Sequence, residues 1–159
     1  MDTESVDELL KDENYFFLDF VPYYPKDSSF LELEEYFENR YLKRFAEKIE
    51  RLALKLIYYY PCEIYLLETT SKKAKRMKLD YEVDIRKYSP AKLGDIIRKI
   101  ITLDFTTMNI VFTSPHFLMQ ISGYFSVGIY GVADNEELKE LIRQLAMQEG
   151  LFFKPHLPN

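Results

Sequence analysis

The sequence contains one cysteine, two histidines, five glycines and no tryptophan in 159 residues. A lone cysteine excludes a disulfide framework and a cysteine-based zinc site. His116 and His156 are too far apart to form a metal-ligand motif, so no metal and no cofactor is expected. No Gly-Lys-Ser/Thr follows Gly128 or Gly131, which excludes a Walker-type phosphate loop. No apolar run approaches the roughly 18 residues of a membrane helix. The start, MDTESVDELLKDE, is acidic and polar, the opposite of a signal peptide. These absences lead to the expectation of a soluble, cytoplasmic chain without a membrane partner.

An apolar fraction of 47% beside 30% charged residues excludes a disordered or low-complexity chain. The length suits one domain over residues 1–159, with 1–14 and 154–159 expected to be loose. The net charge is −5, and it is unevenly spread. Residues 1–40 hold twelve Asp/Glu against three Lys/Arg, whereas residues 61–100 hold ten Lys/Arg against six Asp/Glu. An acidic chain is a poor general binder of phosphate backbones, so no nucleic acid is expected. Its field steers a basic protein instead.

Residues 15–24, YFFLDFVPYY, are rich in aromatics without helical spacing and predict a strand over 15–21, ended by Pro22 and Pro25. Within residues 27–60, Phe30, Leu33, Phe37, Tyr41, Phe45, Ile49, Leu52 and Leu56 recur at three- and four-residue steps. That spacing marks one face of a long helix. Ser29 with Glu32 matches a capping box, and Pro61 stops the helix. Residues 62–69 read as a strand and 71–76 as a basic connection. From 77 to 86, Met77, Leu79, Tyr81, Val83 and Ile85 alternate with Lys78, Asp80, Glu82, Asp84 and Arg86. Such alternation predicts a strand with one wet face.

Ser89-Pro90 opens a second helix, striped by Leu93, Ile96, Ile97, Ile100 and Ile101. Residues 108–114, 117–122 and 124–130 read as strands, the last two forming a hairpin around Gly123. Asp134 with Glu137 caps a third helix carrying Leu138, Leu141, Ile142 and Leu145, with Gly150 at its C′ position. Residues 151–153 return to the sheet or core. The expected fold class is α+β, a mostly antiparallel sheet with three helices in the order β-α-β-β-α-β-β-β-α-(β). The first six elements follow the order of a ferredoxin-like split βαβ unit with a C-terminal extension.

Candidate chemistry is sparse. Cys62 has no base at hand in the sequence and reads as a buried, inert thiol. Ser114-Pro115-His116 puts a histidine on a turn beside a hydroxyl, yet adjacent turn residues do not supply a separated nucleophile, base and orienter. Asp80, Glu82 and Asp84 share one face of the expected strand, where carboxylates hold a cation or act as acid and base. Flanking Lys78 and Arg86 explain the same row as cross-strand ion pairs. Lys72, Lys73, Lys75, Arg76 and Lys78 lack an accompanying groove-entering motif and read as a charged loop. No catalytic residue is assigned.

Thirteen tyrosines and twelve phenylalanines are a high aromatic load for this size, most of it expected in the core. Tyr23 and Tyr24 sit between prolines, ahead of the acidic stretch of Glu32, Glu34, Glu35 and Glu38, which also carries Tyr36. Tyrosine anchors with a charged rim make a protein-binding surface. The profile predicts a non-catalytic protein-binding module. In concrete form this is an acidic inhibitor or immunity protein that neutralises a basic toxin or enzyme by charge complementarity and tyrosine anchors. The alternative is a small enzyme or ligand-binding regulator with a pocket between the sheet and the long helix, near Asp80, Glu82 or His116. The chain is expected to be a monomer, or a homodimer joined through a sheet edge.

Overall fold

The computed structural model describes residues 2–22, 24, 35–36 and 40–157. The strongest sequence period forms α2 (Leu42–Tyr59), which buries Leu42, Phe45, Ala46, Ile49, Leu52, Ala53, Leu56 and Ile57 along one side. Tyr60 is pushed to extended geometry, φ −121° and ψ 147°, as the residue before Pro61 must be. The helix expected over 27–60 is not continuous. Tyr41, at φ −126° and ψ −18°, leaves helical geometry between Arg40 and α2. Its ring packs against Phe20, 5.6 Å away, and its hydroxyl accepts a hydrogen bond from Lys48 Nζ at 2.8 Å. The Ser29–Glu32 capping box lies outside the described residues.

Six strands form one open antiparallel sheet. They are β1 (Phe16–Asp19), β2 (Cys62–Leu66), β3 (Met108–Thr113), β4 (His116–Ile121), β5 (Val127–Tyr130) and β6 (Phe152–Pro155). The order is β2-β3-β4-β5-β1-β6. Every neighbouring pair is antiparallel, so the split βαβ unit is not formed, since a βαβ crossover joins parallel strands. Instead β2 to β5 run as a meander, and the two ends of the chain close the sheet as β1 and β6.

The strand expected over 77–86 is also absent. Residues Lys72–Met77 form a short helix, α3, where a loop was expected, with the Ser71 hydroxyl accepting from Ala74 N. Residues 78–88 then run irregularly along the β2 edge. Glu82 N donates to Leu66 O and Ile85 N to Ile64 O, so donors three residues apart meet acceptors two residues apart. A ladder cannot continue through that mismatch. Glu82 sits at φ +60°, and the Asp84 carboxylate takes the place of a backbone acceptor for Ile64 N at 2.9 Å. The alternation has a physical source at four of its five apolar positions, because Ile85 is buried and Met77, Leu79 and Tyr81 pack on the core, whereas Val83 is exposed.

The remaining helices are α1 (Thr3–Leu10), α4 (Pro90–Leu103) and α5 (Glu136–Gln148). The loose start expected over 1–14 is thus a helix, N-capped by Asp2. Ser89 caps α4, as the sequence implies. For α5 the cap is Asn135 rather than Asp134, with Asn135 Oδ1 accepting from Leu138 N at 3.0 Å. Gly150, at φ +70°, supplies the left-handed turn that ends α5. The main core lies between α2, α4 and α5 and one sheet face, made of Leu18, Ile64, Ile110, Met119, Ile121, Val127 and Ile129. The α1 helix lies on the other face, where Val6, Leu9 and Leu10 cover Tyr65, Val111 and Leu118. Among the described residues no helix is long and apolar enough to cross a membrane.

Candidate binding cleft on the open sheet face

Antiparallel partners project from the same side of a sheet, so the register defines what each face carries. One row crosses all six strands as Tyr65, Asn109, Gln120, Gly128, Phe17 and Lys154. A parallel row holds Val111, Leu118 and Tyr130. The α1 helix covers these rows over β2 to β4 and stops at Tyr130. Beyond it, over β4, β5, β1 and β6, lies a concavity of about 510 Å³ lined by Tyr15, Phe17, Gln120, Gly128, Tyr130 and His156, with residues 123–127 as one wall.

Aromatic rings build this cleft. Tyr130 stacks on Tyr15 with centroids 4.7 Å apart, and Tyr15 stacks on His156 at 4.4 Å. Burial, and then Tyr15, push the Tyr130 hydroxyl pKa up, so it remains a protonated donor at neutral pH. Gly128, between Gln120 and Phe17, lets the Tyr130 ring lie close over the strand, since a Cβ there would stand 2.8 Å from that ring. Gln120 Nε2 donates to the buried Asn109 Oδ1 at 3.0 Å, which fixes the amide. The adjoining flank is ionic. Lys154, only 5% exposed, donates to Asp19 Oδ2 at 2.8 Å and to Val21 O at 3.3 Å. Its Nζ also lies 4.6 Å from the Tyr24 centroid and 5.2 Å from that of Phe17.

Of the residues singled out from sequence, Tyr24 reaches this flank. It is half-buried, its ring meets Phe17 edge-on, and its hydroxyl donates to Pro155 O at 2.6 Å. Burial, and then Asp19, hold that hydroxyl above its ordinary pKa. Glu35 and Tyr36 lie exposed in a helical segment ahead of α2. Tyr23, Glu32, Glu34 and Glu38 lie outside the described residues. His156, expected in a solvated tail, is half-buried in the ring stack, and Lys154 and Pro155, expected to be loose, close the sheet. Tyr15, Phe17, Gln120, Gly128 and Tyr130 were not selected from the sequence as site residues. Their signal is a two-residue alternation within strands and a glycine inside a strand, the mark of a close approach.

The other candidates serve the fold. The Asp80, Glu82 and Asp84 carboxylates do not share a strand face. Asp80 accepts from the Tyr88 hydroxyl, Glu82 from Glu68 N, and Asp84 from Ile64 N and Arg86 N. His116 is clipped between Ser5 Oγ at 2.9 Å and Phe112 O at 3.2 Å, which ties α1 to β4. Burial raises the Cys62 thiol pKa to about 11, where it stays protonated. Between the sheet and α2 the space is filled by Phe45, Ile49, Leu52 and Leu56, all at 0% exposure. Among the described residues no three His, Cys, Asp or Glu side chains converge as metal ligands. Comparison with protein-family models, curated proteins and solved structures finds no match to this chain.

Proposed function

We propose that this protein is a non-catalytic binding module that receives a basic protein partner, acting as an inhibitor of the immunity-protein kind. The aromatic cleft on the open sheet face carries this reading. Rigid tyrosines give contact area at low entropic cost, and polar tips at their edges add orientation. The described residues 2–22, which include Tyr15, Phe17 and Asp19, hold seven Asp/Glu against Lys11 alone, a balance suited to a basic partner. Strand addition is disfavoured at both sheet edges. Residues 78–88 cover β2, while on β6 Pro155 lacks a donor and its carbonyl is held by Tyr24. The partner therefore docks through side chains on the face.

Capture from source lysate with wild-type protein, Tyr130→Ser and Glu35→Lys tests this. The expected result is one basic protein held stoichiometrically by the wild type, released by salt, and lost or reduced with both variants. Equal capture by all three would contradict the reading.

A further inference from the structure

We infer that Tyr124, at the mouth of the cleft, is the side chain that anchors the basic partner, an assignment that rests on the binding reading above. It lies in the loop that joins β4 to β5, residues 122–126, and lines the cleft wall. Its backbone takes φ +61°, in the left-handed region that suits glycine and disfavours a tyrosine. A glycine does stand next to it, one position too early for that purpose. Gly123 does not take the left-handed region. It makes room instead for the Asp104 carboxylate, which a Cβ at 123 would strike. Asp104 is itself left-handed, at φ +50°, and puts a negative charge at the negative end of α4. Two neighbouring residues thus carry side chains that the local backbone disfavours.

The surroundings hold this conformation in place. Tyr124 N donates to Ile101 O at 2.8 Å, and Ser122 N to Ser126 O at 2.9 Å. Phe125 pins the loop to the core, with its ring centroid 4.4 Å from that of Phe20 and 5.0 Å from that of Phe45. The fold does not use the Tyr124 side chain in the same way. It is 40% exposed, and among the described residues its hydroxyl forms no hydrogen bond and its ring stacks on no other ring. Strain in an over-determined backbone, with the side chain left to solvent, marks a functional position. A ring with two side-chain torsions on a fixed backbone loses little entropy when a partner covers it. The matching feature on the basic partner is an apolar recess flanked by a lysine or arginine. The recess takes the ring, and the cation meets Asp104, which is exposed and forms no ion pair among the described residues. Lys73 Nζ donates to the adjacent Leu103 O at 3.1 Å and leaves that carboxylate unpaired.

The test separates a part in binding from a part in folding. The probe is the basic protein that the wild-type chain retains from source lysate, released by salt and repurified. Tyr124→Asn suits the left-handed backbone and removes the ring. Its Tm is expected to hold, or to rise by up to about 4 °C. Its affinity for the probe is expected to fall about thirtyfold, mostly through faster dissociation. Asp104→Asn should also keep its Tm, and should slow association about threefold at low salt. Tyr59→Asn, at the end of α2 and 70% exposed, is expected to bind the probe as the wild type does. A lower Tm for Tyr124→Asn would mean that the ring serves the fold, and would overturn the assignment. A loss of affinity below about tenfold for Tyr124→Asn would do the same. So would an unchanged association rate for Asp104→Asn, or an equal loss with Tyr59→Asn. If affinity survives in Tyr124→Asn but is lost in Tyr130→Ser, the anchor falls and the binding reading stands. If the wild-type chain retains no basic protein, both fall.

Discussion

On its helix-covered face the sheet presents Leu18, Ile64, Ile110, Met119, Ile121 and Ile129 to three helices, all fully buried. On the opposite face one row alone contains an asparagine, a glutamine, a glycine and a lysine. The first composition is what burial requires. Each such side chain contributes about 1.5–3 kcal/mol when removed from water. The second is unfavourable by that standard, because a strand glycine weakens the sheet and a buried ion pair seldom repays its desolvation. The two faces of one strand thus separate two demands. The covered face holds the fold, and the open face keeps polar and aromatic groups that the fold does not need.

This division can be broken by mutation at each face. The largest effect is expected from Phe112→Ala on the covered face, where the ring is fully buried and stacks on Phe117 at 4.1 Å. The loss should be about 3–5 kcal/mol in urea unfolding. On the open face, Lys154→Met leaves the Asp19 carboxylate without its cation and should destabilise by about 3 kcal/mol. The double variant Asp19→Asn/Lys154→Met should recover at least 1 kcal/mol relative to the sum of the single changes, to order of magnitude. No recovery would mean that the pair is not a coupled unit.

Smaller effects belong to the helix layer. Arg51 grips Glu149 between α2 and α5 at 2.8–2.9 Å, and that hydrogen bond holds the Glu149 carboxyl below its ordinary pKa against a partial burial penalty. A depressed carboxylate pKa stabilises the fold above the unfolded value, and the contribution fades as pH falls through the folded value. Glu149→Gln should therefore lower stability at neutral pH by no more than about 1 kcal/mol, since Arg51 is half exposed. The difference from wild type should vanish in urea melts below the ordinary carboxylate range. Cys62 should show the least change of all. Disulfide reagents at pH 8 should modify it much more slowly in the native protein than in urea, because its thiol is pushed up to about 11.

The covered face was legible in sequence because burial imposes a period. The stripes of α2, α4 and α5 and the strands β1 to β5 all follow from apolar spacing and from proline and glycine stops. The segment 77–86 misled because Ile85, Tyr81 and Leu79 pack on the core at alternating positions while the backbone slips register against β2. A hydrophobic pattern reports burial, and it does not report which carbonyl each amide finds. Strand order was equally hidden, since the pairing of β1 with β6 joins residues far apart in the chain. The cleft was the least legible part. Tyr15, Gly128 and His156 come together only through that order, and the acidic stretch drew attention to Tyr23, Tyr24 and Tyr36 instead.

The tyrosines are also natural probes of which face works. Tyr15 and Tyr130 line the cleft, whereas Tyr58 and Tyr59 line an apolar groove between the end of α2 and α5 and are 50% and 70% exposed. Hydroxyl-radical footprinting of the captured complex compares the two surfaces in one measurement. Protection of Tyr15, Phe17, Tyr130 and His156 with Tyr58 and Tyr59 unchanged is the expected result. Protection of Tyr58, Tyr59, Leu141 and Leu145 with the cleft still reactive would contradict the assignment of binding to the open sheet face.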